Sequence, residues 1–566
     1  MMILDKIQLL LLTNKKVQFL LFFLVLALLS LFMVLVYGPS CNYPGYDYYF
    51  HLKRFEALIT AIKEGSFPIY IDYEAALGYG YLSKIFYSDI IFIPFALLGL
   101  LIDAPSAFEV MLFVMTILCG IFMYVAVRKI YDSPFVASLS SLLYTFSVYR
   151  LFDIYNRGAL GEVFAFTFLP IVFLGLYHII KGDYKKWYII AIGFSLLIFS
   201  HVISTVLAFI TVVIILLIYS RTLLSEPKRF YYLVIAGVVT IAITSTYIFP
   251  LFEQIQSNAF RYEDNDWALP SRTKQPLEYW LWSIISGFFY PKHIMIKSYG
   301  VILSIGILLR FFIKEKSSKL KSIDLGVIIG IGYLIATSSI FPWGRFPFTL
   351  LSFIQYPTRL FLFITFFFSV AVAYYLFVLF KKQRSRIIVF SVFIVLIGLT
   401  ICMHNDQYKY MHTTYIGESN EKPTPGNFFY LNGAEYVPEK ASSAYFVLER
   451  GDSIRSLMGV SEIIDYKREK GVLMLNVATS SSDSLELPLF YYKGYSATLN
   501  DENIAYTQSE YGLMQLPIDK SGEVKVFYKG TTIQKISFFI TIISIFVLCF
   551  YIVNQRRRNK QFKSIH

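Results

Sequence analysis

The chain has 566 residues, 56% of them hydrophobic and 16% charged, with a mean hydropathy of +0.57. These values exclude an ordinary soluble enzyme and fit a polytopic membrane protein. A formal net charge of +13 would suggest nucleic acid in a soluble chain, but here the cations cluster between apolar runs, as in the cytoplasmic loops of membrane proteins, so nucleic acid is excluded as a partner.

The clusters are Lys6/Lys15/Lys16, Arg128/Lys129, Lys181/Lys185/Lys186, Arg221/Lys228/Arg229, Lys314 to Lys321, Lys381 to Arg386 and Arg556 to Lys563. Between them, apolar runs near 17–37, 107–127, 134–149, 162–180, 187–200, 202–219, 231–250, 299–313, 323–340, 358–380, 387–402 and 534–553 predict about twelve spans. The first run is too long for a signal-peptide core and lacks a cleavage site, so it reads as a retained helix. A further run, 86–102, is short, holds Pro94 and is flanked by Asp89 and Asp103. If it crossed fully with the N-terminus inside, every later basic cluster would fall outside, and a full span with the N-terminus outside would have to export Lys6, Lys15 and Lys16, so it reads as a juxtamembrane or re-entrant helix. Both termini are then cytoplasmic, and the loops 38–106 and 251–298 are extracytoplasmic.

In the first of these loops, Tyr48, Leu52, Phe55, Ile59 and Ile62 recur at helical spacing up to Gly65, predicting an amphipathic helix over 48–64 that lies on the membrane surface. The second loop carries Trp267, Trp280 and Trp282, a composition suited to the interface. From 404 to 530 the pattern changes to short alternating stretches, such as 443–449, 471–477 and 523–528, broken by Gly, Asn, Asp and Ser. This predicts an extracytoplasmic β-sandwich. The expected domains are therefore a transmembrane domain over 1–403, the sandwich over 404–530, and a final helix with a basic tail over 531–566.

Candidate chemistry lies in the extracytoplasmic loops. Asp47, just before the amphipathic helix, is suited to N-cap that helix, a role compatible with acting as a general base toward an acceptor hydroxyl. His51 and Arg54 follow on a neighbouring stripe and read either as substrate contacts or as side chains snorkelling to headgroups. Asp47, His51 and His201 could ligate a divalent cation, but the multi-ligand signature is missing, so no metal and no cofactor is assigned. The four cysteines (Cys41, Cys119, Cys402, Cys549) show neither metal nor redox spacing.

Residues 155–162 join two spans, and their two glycines permit a tight turn whose backbone N–H groups could meet an anion. Arg157 could bind phosphate there with Glu162 orienting it; the alternative is an interfacial ion pair. Arg359 sits at the positive end of a helix opened by Pro357, where an arginine is unfavourable unless an anion is bound. Glu253, Arg261, Asp264 and Asp266 read as a solvated face. No Walker loop, dinucleotide fingerprint or Ser/His/Asp arrangement occurs in a credible context.

Taken together, Asp47-Tyr-Tyr-Phe-His51, Gly65-Ser-Phe-Pro68, Gly78-Tyr-Gly80 with Phe86-Tyr87, Arg157-Gly-Ala-Leu-Gly-Glu162, Ser200-His201 and Gln355-Tyr-Pro-Thr-Arg359 resemble the YfhO-like bacterial membrane proteins. They also resemble the group labelled "6-pyruvoyl-tetrahydropterin synthase-related", a label that does not describe pterin chemistry here. Such proteins look like members of the GT-C glycosyltransferase superfamily. The resemblance implies a bacterial cytoplasmic membrane, a polyprenyl-phosphate-linked sugar donor, an extracytoplasmic site and an aspartate in the first outer loop, the position of Asp47. Arg157 and Arg359 match positions of lipid-phosphate binding. Thr358 departs from the pattern, which has an aromatic residue before the arginine.

The expectation is therefore a GT-C-like glycosyltransferase that moves a sugar from a polyprenyl phosphate to an envelope glycan, glycolipid or protein. Asp47 would be the base, and His51, Arg54, Arg157, Glu162, His201 and Arg359 would contact substrate. The rival expectations are a transporter or flippase of lipid-linked sugars, and a non-catalytic scaffold whose outer domain binds glycan.

Overall fold

The computed structural model describes residues 14–37, 47–264, 268–287, 297–411, 435–441 and 444–565. Lys6, Cys41, Asp266 and Trp267 lie outside the described residues, as does the side chain of Asp264.

All twelve apolar runs are helical. In an apolar setting a helix satisfies every backbone N–H and C=O internally, which is why such runs adopt it. Eight helices among the described residues are long and apolar enough to cross a membrane: Lys15–Val36, Ala104–Tyr131, Pro134–Arg157, Leu160–Ile180, Pro227–Ser257, Pro357–Leu379, Gln383–His404 and Thr532–Arg558. The protein is membrane-embedded and mostly helical, with a C-terminal β domain. The remaining runs are shorter or more charged. Tyr188–Ser200 has 13 residues, about 20 Å of helix against a hydrocarbon core of about 30 Å. Lys319, Lys321 and Asp324 interrupt Ser318–Ala336. In the run 86–102, the helix Ile93–Leu98 has only six residues, too few to cross.

The chain divides into two compact units. The first comprises Met1–Tyr48, Pro105–Thr240 and Asp266–Glu418, and the second Tyr49–Ala104, Ile241–Asn265 and Ser419–His566. The β region is thus joined in its unit by segments far away in sequence. At the centre of the first unit lie Pro134–Arg157, Leu160–Ile180 and Pro357–Leu379, the most deeply buried of the eight long helices.

In the second unit the helix Tyr48–Glu64 has the predicted bounds. Leu52, Phe55, Leu58 and Ala61 are buried, and so are His51 and Arg54, each 3% exposed. Arg54 turns inward because Asp89 supplies a carboxylate 2.7 Å away.

Nine strands are present among the described residues. They are β1 Arg455–Ser456, β2 Ser461–Glu469, β3 Val472–Thr479, β4 Asp483–Phe490, β5 Tyr495–Leu499, β6 Glu502–Ile504, β7 Thr507–Gln508, β8 Leu513–Ile518 and β9 Gly522–Tyr528. They form two antiparallel sheets, β1-β4-β8-β7 and β2-β3-β9-β5-β6. Alternation puts Leu473, Leu475 and Val477 of β3 inward, beside Val524 and Val526 of β9, with Leu475 paired to Val524. Burying each such side chain contributes roughly 1.5–3 kcal/mol.

One stretch read as a strand, 443–449, is instead the helix Ala444–Arg450. Val447 and Arg450, three apart, are both buried, a helical spacing. Arg450 is held there by Glu486, with Nε 3.1 Å from Oε1 and Nη2 donating to the Glu486 carbonyl at 3.1 Å. The expected solvated face also changes. Glu253 is 8% exposed; it accepts from Thr531 Oγ1 at 2.5 Å and lies 3.4 Å from Lys493.

Candidate functional site

The site candidates that come together do so in the first unit, where two central helices begin and a third ends. The helix Pro134–Arg157 finishes in one widened turn, Asp153–Arg157. It is closed by Gly158, whose φ is +65°, with Ala159 N–H donating to the Asp153 carbonyl at 2.9 Å. Gly158 is also a point of close approach. A Cβ there would lie 2.7 Å from the Tyr48 nitrogen, and without one Asp47 N–H donates to the Arg157 carbonyl at 2.6 Å. Gly161 acts similarly, since a Cβ would sit 3.0 Å from the Ser200 carbonyl and 3.3 Å from the His201 ring. The two glycines thus admit neighbouring chain, while N–H groups of the turn at 159, 160 and 162 bond within it. Those three N–H groups are thus already bonded, rather than turned to an anion as the sequence suggested.

Around that turn the charges converge. Arg157 Nη1 donates to Asp153 Oδ1 at 2.9 Å and to Glu162 Oε2 at 2.8 Å. Tyr149 donates its hydroxyl to Glu162 Oε1 at 2.8 Å. Asp153 and Glu162 are essentially inaccessible, and they form the floor of the cluster. Asp47 sits at its open end, 48% exposed, with Oδ2 4.0 Å from Arg157 Nη2. Among the described residues no backbone N–H caps its carboxylate, so the capping role expected from the sequence is not what holds it. The protein packed around it raises this carboxyl above its ordinary 3.8, with Arg157 and then Arg359 opposing the shift.

Arg359 enters from the third helix. Gln355, at φ +62° and ψ −58°, makes the sharp turn before Pro357, the kind of backbone strain that gathers at functional sites. Arg359 Nη1 donates to the Ile354 carbonyl at 2.8 Å, and its Nε lies 3.9 Å from Glu162 Oε2. That Nε is buried without a hydrogen-bond partner.

Lys297, which the sequence did not single out, completes the group. Its Nζ lies 4.5 Å above the centre of the Tyr356 ring, and no described carboxylate comes within 4.0 Å of it. Burial, then Arg157 and Arg359, lower its amine to about 8. His201 sits between Ser200 and the helix Val202–Ile218. Its Nδ1 accepts the Ser204 N–H at 3.3 Å and lies 2.8 Å from Ser204 Oγ. Burial and Arg359 push it down to about 3. A neutral ring accepting at Nδ1 carries its proton on Nε2, a donor left for other use.

Asp47, Arg157, Glu162, His201 and Arg359 therefore belong to one cluster. Asp153 and Lys297 join it. Asp153 was findable, since it lies four residues before Arg157 on a helix and this is the spacing of side-chain neighbours; Lys297 carries no local signal. His51 and Arg54, also expected to contact substrate, belong to the second unit, where they have their own partners. Arg54 donates to His51 Nδ1 at 3.0 Å, to the Tyr87 carbonyl at 3.1 Å and to Asp89 at 2.7 Å, and its guanidinium stacks 4.8 Å from the Tyr87 ring centre. Lys84 Nζ reaches the other Asp89 oxygen at 2.7 Å. With its carboxylate and carbonyls in place, Arg54 serves as a structural clamp.

No family model matches the chain. An uncharacterized protein of Lactococcus lactis subsp. cremoris (strain MG1363) is 21% identical over 256 residues, which are 44% of this chain and 42% of that protein. The matched stretch thus spans less than half of either protein. Fold and site define the class: a membrane-embedded helical protein with a β domain and a polar cluster at the ends of its most buried helices.

Proposed function

We propose that the protein is a membrane glycosyltransferase of GT-C type, related to the YfhO-like proteins, that moves a sugar from a polyprenyl phosphate to a hydroxyl of an envelope glycan, glycolipid or protein. One observation carries this reading. An accessible carboxylate, Asp47, stands beside Arg157, in a cluster where Lys297 and the Nε of Arg359 have no carboxylate within hydrogen-bond reach. A carboxylate that can take a proton beside cations that can take a phosphate is what the transfer requires.

In the step itself the acceptor oxygen attacks the anomeric carbon while its proton passes to Asp47. The bond from that carbon to the phosphate oxygen breaks, and its electron pair stays on the lipid phosphate. Arg359 and Lys297 stabilise the charge that collects there. Arg157 is already engaged by Asp153 and Glu162, so its part is to hold Asp47 and the floor of the cluster in place. His201 offers Nε2–H to a sugar or phosphate oxygen. Long apolar helices bearing these residues would let a polyprenyl tail stay in the bilayer while its head group reacts.

In this reading the twelve helical runs supply the crossings, with 86–102 staying at one interface. Both termini are cytoplasmic, and the cluster and β domain lie outside the bacterial cytoplasmic membrane. The distribution of Lys and Arg supports that orientation. The test is deletion of the gene followed by complementation. Envelope sugar should fall and a lipid-linked monosaccharide should accumulate. Wild type should restore both, and Asp47→Asn, present at equal level in the membrane, should restore neither. Full restoration by Asp47→Asn would remove the proposed base, and an unchanged envelope in the deletion strain would remove the reading itself.

A further inference from the structure

The second unit holds a cavity of about 280 Å³, bounded by the helix Tyr48–Glu64, the segment after it, and the β2–β3 turn of the sandwich. This is near the lower end of the roughly 300–1,000 Å³ typical of small-molecule sites. Its lining includes Glu64, Tyr73, Glu74, Arg468, Lys470 and Tyr495. None of these takes part in the cluster around Asp47.

Two residues that line this cavity each carry a buried donor with no hydrogen-bond partner. Tyr495, on β5, is 7% exposed, and its hydroxyl is buried without a hydrogen-bond partner. Gly80 helps keep that position open, because a Cβ there would lie 3.3 Å from the hydroxyl. Arg468, on β2, is anchored at both ends of its fork. One Nη donates to the Gly78 carbonyl, and the other to Asp452 at 2.5 Å and the Pro488 carbonyl at 2.9 Å. Its Nε is nonetheless buried and unpartnered. A buried polar group left unsatisfied is destabilising, so two on one cavity call for a ligand that supplies acceptors.

The rest of the lining narrows the class. Tyr73 and Tyr495 give ring surface with polar tips, and Glu64 and Glu74 give acceptors for hydroxyl or amino protons. Carboxylates outnumber cations, since Asp72 and Glu469 also line the cavity while only Arg468 and Lys470 are basic. An anionic ligand is therefore disfavoured. A ligand with many hydroxyls, each able to donate and accept, and with an apolar C–H face for an aromatic ring, meets every condition.

We propose that this cleft binds a neutral or amino sugar, such as the terminal unit of a glycan. The assignment holds whether or not the cluster around Asp47 transfers sugar. The test is saturation-transfer NMR on the full-length protein in lipid nanodiscs, free of sugar-headed detergent. The probes are the methyl glycosides of glucose, galactose, N-acetylglucosamine and glucosamine. At least one should bind. Tyr495→Phe removes only the unpartnered hydroxyl, so it should weaken binding about tenfold while the melting temperature stays level or rises. Glu74→Gln serves as a second variant and should also weaken binding. Failure of all four glycosides to bind wild type would overturn the proposal, as would wild-type affinity in both variants.

Discussion

Among the described residues, the first unit brings no carboxylate closer than 3.9 Å to Arg359 or within 4.0 Å of Lys297, whereas the second closes Arg54 and Lys84 onto the single carboxylate of Asp89 at 2.7 Å each, even though Arg54 Nε, like Arg359 Nε, is buried without a hydrogen-bond partner. Both units bury arginine, lysine and aspartate beside tyrosine rings, so residue type does not separate them. The distance to a carboxylate does. A buried charge is tolerated when close partners replace its lost hydration, and breaking such a set is destabilising. Charges that stay accessible or short of partners in a buried setting mark a functional site instead. The second cluster has the form of a structural clamp, and the first has the form of a site with room for an anion.

The largest expected effect follows from the open cluster. Asp47→Asn should lower sugar transfer by about 10²–10⁴-fold, the usual share of a general base, with no change in melting temperature. Membrane-fraction transfer assays alongside thermal unfolding would show both halves of that statement. The closed cluster should respond in the opposite way. Asp89→Asn leaves two buried cations short of their carboxylate, so it should cost about 3–5 kcal/mol of stability, read as a large fall in melting temperature. Equal stability in Asp89→Asn would end the distinction between the clusters.

Arg359→Lys keeps the charge and loses the planar fork, so donor KM should rise by about tenfold to a hundredfold with folding intact. The smallest effect is a shift in pH dependence. Transfer needs Asp47 ionised, and its carboxyl is raised above 3.8, so activity should be lost as pH falls through a value higher than that of a free aspartate. It also needs Lys297 charged. Because that amine lies at about 8, activity should fall as pH rises through that value. Lys297→Arg should move only this alkaline limb upward, and a limb that stays in place would separate Lys297 from the phosphate.

Much of the local structure was legible. The apolar runs became helices, and the 48–64 periodicity gave a helix with those bounds. The alternating stretches 471–477 and 523–528 became β3 and β9. In each case the signal is a repeat within a few residues, set by which side of one element faces water or lipid. Arg157, Glu162 and Arg359 were legible for a related reason: each is a charge at the end of an apolar run, where its presence is costly enough to be conspicuous.

What stayed hidden depended on partners far away in the chain. Nothing local distinguishes Lys297 from other loop lysines. Its place is set by the fold that lays it over Tyr356, 59 positions further along the numbering of the same chain. The stretch 443–449 alternates like a strand, yet Glu486 draws Arg450 inward and a helix results. His51 and Arg54 share a stripe with Asp47 in sequence, but Asp89 and the Tyr87 carbonyl give Arg54 its partners. The sequence by itself determined the elements and the charges worth attention, because periodicity and local cost are properties of short segments. Only the tertiary structure decided which cations meet a carboxylate closely and which do not, because that depends on distances between groups brought together by packing.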